Sequence, residues 1–75
     1  MRSLMRVSDG QANEIARSVG YSSVEELKGD YVPPKEVRYY DMAYDKDTKE
    51  IVLINKSGVG DPVPTSLFIK RWENR

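Results

Sequence analysis

The chain has 75 residues, 39% of them hydrophobic and 32% charged, which suits one small ordered core and is too little for two domains that each bury adequate surface. Twelve basic and twelve acidic side chains cancel, so no global field draws the protein to nucleic acid or to an anionic membrane. Cysteine and histidine are both absent, which excludes disulfides, thiolate metal sites, histidine general bases and histidine-based triads.

The charge is unevenly spread. Residues 1–34 and 35–50 each carry four basic and five acidic groups, whereas residues 51–75 carry four basic and two acidic, so an anion site belongs in the C-terminal third. The opening MRSLMRVSDG has no apolar signal core, and no stretch approaches the roughly 20 apolar residues of a membrane span. The expectation is no membrane association and a cytoplasmic location for the chain as written.

In chain order, Arg2, Leu4, Met5, Arg6 and Val7 read as a frayed lead-in. Ser8 or Asp9 offers a cap oxygen, and Ala12, Ile15, Ala16 and Val19 then recur at the spacing of one helical face, with Asn13, Glu14 and Arg17 toward water. Gly20 supplies the stop, giving a first helix over about 10–19. Ser22 and Glu25 have the reciprocal capping spacing for a second helix over about 23–31, with Val24 and Leu27 on its apolar face and Pro33-Pro34 ending it. A DNA-reading helix pair would present cations or amides from that second helix, which offers Glu25 and Glu26 instead.

Tyr40, Met42 and Tyr44 alternate with Tyr39, Asp41 and Ala43, which predicts a strand over 37–44 with the Tyr40 face buried. Asp45 to Lys49 is a polar hairpin connection; its carboxylates lack the glycine and helix pair of a calcium loop, and no metal or other cofactor is expected. EIVLIN, residues 50–55, has no alternation and reads as the central strand of a meander. The loop from Lys56 to Pro64 is long for a hairpin. Its KSGVGD run lacks the order of a phosphate-binding P-loop but is compatible with an anion nest of successive amides. A third strand over 65–70 carries Leu67 and Ile69 on one face and leads into Lys70, Arg71 and Trp72. The fold class is therefore α+β, with two short N-terminal helices packed on a three-stranded antiparallel β-meander.

The strings AxxIAxxxGYSSxEELKxDYV and YYDMAYDKDTKEIVLINKSGVGDPVPTSLFI carry a family resemblance. With Tyr40, Asp41, Asp45, Lys46, Thr48, Lys49, Glu50, Ile51, Pro64 and Thr65 at the matching positions, the span from Ala12 to Ile69 resembles the small C-terminal modules of bacterial polymorphic toxins. Many such modules are similar to the barnase, colicin and RelE-like ribonucleases. The resemblance implies metal-independent RNA cleavage, an immunity protein as partner, and secretion as part of a larger protein.

No active-site signature aligns residue by residue, so candidates follow from chemistry. A histidine-free ribonuclease needs cations around the phosphate and a hydroxyl or carboxylate to move the 2′-OH proton, which points to Lys56, Thr65, Ser66, Lys70 and Arg71. The other reading is a non-enzymatic interaction module that holds a protein partner through a sheet edge or through Tyr39, Lys56, Lys70, Arg71 and Trp72. Zero net charge and the missing histidines favour the second. An apolar central strand in so small a domain also admits a homodimer.

Overall fold

The computed structural model describes residues 3–69. It is an α+β fold in which helices cover one face of an antiparallel sheet. The sheet has four strands rather than three: β1 (Leu4–Arg6), β2 (Tyr40–Asp45), β3 (Glu50–Asn55) and β4 (Val63–Phe68), adjacent in that order. The segment expected to be a frayed lead-in is the additional strand. Leu4, Met5 and Arg6 pair with Asp45, Tyr44 and Ala43, a partnership with no local signature because the partner lies far along the chain.

The first helix, α1 (Asp9–Ser18), starts at Ser8, whose Oγ accepts from the Gln11 N–H at 3.3 Å while the Ser8 N–H donates to Gln11 Oε1 at 3.4 Å. These two bonds satisfy amides that a helix start leaves without partners. Gly20, at φ 103°, turns the chain where a side chain would be strained. The second helix, α2 (Val24–Gly29), is shorter than expected and is capped by Ser23, not Ser22. Ser22 instead donates through its N–H and its hydroxyl to Glu26 Oε1, both at 2.7 Å. Asn13 does not face water as its position on α1 suggested. It is half-buried, and its Oδ1 accepts from the Val24 N–H at 2.9 Å, fastening the start of α2 to the middle of α1.

Residues 37–39, expected to open the first strand, belong instead to a 3-10 helix, Pro34–Tyr39. Proline presets the backbone angle at its first position, and the Glu36 N–H closes its first turn on the Pro33 carbonyl at 2.8 Å. At the other end of the sheet β4 begins earlier than expected, and Pro64 lies inside it. Pro64 is tolerated because β4 is an edge strand, where a ladder can spare one N–H.

Side chains of Ile15 and Ala16 from α1 and Leu27 from α2 close on Met42, Ile51 and Leu53, with Ile69 at the rim. Strand alternation puts Asp41, Ala43, Asp45, Val52 and Ile54 on the opposite face. The expected central position of the EIVLIN strand is observed: β3 lies between β2 and β4, and Ile51, Val52 and Leu53 are fully buried.

Candidate interaction surface

One end of the sheet brings an exposed aromatic together with several charged side chains. Tyr40 pairs with Asn55, so the next cross-strand neighbours are Tyr39 and Lys56, and the Lys56 N–H donates to the Tyr39 carbonyl at 2.8 Å. Tyr39 is 50% exposed, with the Arg38 guanidinium 5.3 Å from its ring centroid, within cation–π range. Asp41, two residues along β2, takes Arg6 Nη1 of β1 at 3.4 Å on Oδ2 and stands 4.0 Å from Lys56 Nζ on Oδ1.

The loop that follows Lys56 is ordered by its own side chains. Asn55 Oδ1 accepts from the Ser57 N–H at 2.9 Å and from the Ser57 hydroxyl at 2.6 Å. The Gly58 N–H donates to the Asn55 carbonyl at 2.9 Å, and the Val59 N–H to Ser57 Oγ at 3.3 Å. Three consecutive amides are thus turned inward, so the anion nest considered for KSGVGD is not present at those positions. The loop holds Val59 outward instead, 73% exposed and flanked by Gly58 and Gly60 at φ 81° and 86°.

Of the residues picked out for function, Tyr39 and Lys56 are brought together. Thr65 is elsewhere and is buried: its hydroxyl donates to the Ile51 carbonyl at 2.6 Å and accepts from the Leu67 N–H at 3.1 Å. Ser66 is exposed beside it at φ 61°, its N–H donating to Glu50 Oε2 at 3.1 Å. Ile51 lies near the start of β3 and Lys56 just past its end, about 16 Å apart at roughly 3.3 Å per residue, so Lys56 stands apart from Thr65 and Ser66. Lys70, Arg71 and Trp72 lie outside the described residues.

The β4 edge is also poorly suited to pairing with an added strand. Pro64 within β4 has no N–H to offer an added strand, and the register shifts between Glu50 and Val52. Proline and bulges are common devices for closing an edge.

Arg6 and Asp41 escaped the sequence reading because their relationship depends on β1. Arg38 adjoins Tyr39 in the chain and Val59 lies in the long loop, and neither carries a signal of its own in the sequence. Among the described residues no three carboxylates are placed to hold a metal ion, and no helix is long and apolar enough to cross a membrane. Comparison with known proteins finds no family model, no curated protein and no solved structure that matches the chain.

Proposed function

We propose that the protein is a non-enzymatic interaction module that holds a protein partner through the end of its sheet formed by Arg38, Tyr39, Lys56 and Val59. The observation that carries this reading is the cross-strand pair Tyr39 and Lys56, with Arg38 over the exposed ring and an exposed Val59 in the loop that begins at Lys56. Tyrosine and arginine are the side chains most enriched among residues that dominate protein interfaces, because each contributes a large contact area together with a polar group. Pro64 within β4 weighs against strand addition at that edge of the sheet. The ribonuclease implied by the toxin-module resemblance is not adopted, since the Thr65 hydroxyl is committed to the backbone far from Lys56.

A photo-crosslinking residue introduced at position 39, in the cells the protein comes from, tests the reading. The expected result is one dominant adduct that disappears with Lys56→Glu and does not form when the crosslinker is placed at position 46. No adduct from position 39 would overturn it. So would RNA cleavage that is abolished by Lys56→Ala.

A further inference from the structure

The partner's chemistry follows from how the cations at this end are engaged, an argument that rests on the interaction reading above. We infer that the surface takes an acidic peptide segment, a carboxylate next to an apolar side chain, and that Asp41 is a built-in competitor for the partner's carboxylate.

Two cations share the single carboxylate of Asp41. Arg6 and Lys56 are each 54% exposed at the side chain, and the Lys56 contact, at 4.0 Å, is at the outer limit of an ion pair. An exposed, long pair of this kind is held weakly and exchanges readily for another carboxylate. Arg38 has no carboxylate partner among the described residues. Its guanidinium lies over Tyr39 and the residue is exposed, so N–H donors remain available to a carboxylate. A carboxylate entering between Arg38 and Lys56 gains two cations. Val59, three residues after Lys56 in the same loop, is exposed and offers its methyl groups to an apolar neighbour of that carboxylate.

A nucleic acid fits less well. Twelve basic and twelve acidic side chains cancel over the chain, so there is no surplus of cations to neutralise a run of phosphates. Phosphate-backbone binding draws its strength from many neutralised phosphates, whereas this end offers three cations with one carboxylate already among them.

The test titrates the full chain with a decapeptide of alternating Glu and Val, its Gln and Val counterpart, and a single-stranded RNA decanucleotide, following the backbone amides of Tyr39, Lys56 and Val59 by NMR. The Glu peptide is expected to move those amides and to bind more tightly than the Gln peptide, with affinity falling as salt is added. Asp41→Asn is expected to tighten the Glu peptide by about two- to fivefold and Lys56→Gln to loosen it by a similar factor, the range of an exposed ion pair. Unchanged amide shifts in α1 establish that each variant is folded.

Equal binding of the two peptides would overturn the acidic partner while leaving the interaction surface standing. RNA binding tighter than the Glu peptide would overturn it, as would concentration-dependent shifts at the same amides without peptide, which mark a second copy of the chain as occupant. Looser or unchanged binding by Asp41→Asn would overturn the competitor role of Asp41. No movement of those amides by the Glu peptide would overturn the inference, and crosslinking at position 39 then decides the interaction reading separately.

Discussion

The buried Thr65 hydroxyl donates a 2.6 Å hydrogen bond to the carbonyl of Ile51 across the irregular pairing of β3 and β4, and accepts one from the Leu67 N–H at 3.1 Å. A single side chain thereby replaces ladder bonds that the bulge would otherwise leave unmade. Thr65→Val keeps the shape and strands both backbone groups, at a cost of about 1–3 kcal/mol. Thr65→Ser keeps the hydroxyl and is expected to recover most of that loss, read as the midpoint of urea unfolding. Equal stability of the two variants would show that the hydroxyl is not what holds the bulge.

Asn13 joins the two helices through one bond to the Val24 N–H. Asn13→Ala leaves that partly buried donor without an acceptor and is expected to cost about 1 kcal/mol or somewhat more. Amide exchange localises the effect: protection of the α2 amides falls, and that of β3 falls only as far as global stability does.

The hairpin between β2 and β3 closes with the Lys49 N–H on the Asp45 carbonyl at 2.7 Å, and Lys49 is held at φ 68°, where a Cβ is strained. Lys49→Gly relieves that strain, against the greater flexibility of glycine in the unfolded chain, for a net gain of about 0.5–1 kcal/mol. A lower thermal midpoint for this variant would mean that the lysine's contacts with the Lys46 carbonyl and the Tyr44 ring outweigh the backbone strain.

Glu26 is held below the usual carboxylate range, first by the Ser22 backbone N–H and then by the Ser22 hydroxyl, both of which favour the ionised form. With the folded pKa below the unfolded one, its contribution is fully present above the unfolded carboxylate pKa and is lost as pH falls through the folded pKa. NMR titration of the Glu26 carboxyl is expected to give a value below that of a free glutamate. Ser22→Ala is expected to raise it part of the way, because the larger contribution, from the backbone amide, remains.

Much of the fold is legible in the chain where the physics is local. The Ala12, Ile15 and Ala16 stripe predicts the buried side of α1, and Gly20 its end, because helical period and the left-handed stop involve only near neighbours. The displaced cap of α2 is a one-residue shift between two adjacent serines, both able to accept, which only the packing of Asn13 on Val24 resolves. Leu4–Arg6 carries no strand pattern of its own; it becomes β1 because residues 43–45 offer it a ladder. The candidate site divides in the same way. Tyr39 was recognisable as a binding candidate, and its eventual neighbour Lys56 as the first residue of a long loop. That Thr65 is a buried structural hydroxyl depends on a bulge that has no signature in TSLFIK.

The sequence by itself determined the α+β class, the two capped helices, the apolar central strand and the want of histidine and cysteine chemistry, since composition, periodicity and capping act over a few residues. Only the tertiary structure decided which residues share a surface. Arg6 reaches Asp41 across 35 positions, and Lys56 meets Tyr39 through strand register. Register is settled by the packing of a whole sheet face rather than by any one segment, so the surface proposed for binding exists only once the strands have found one another.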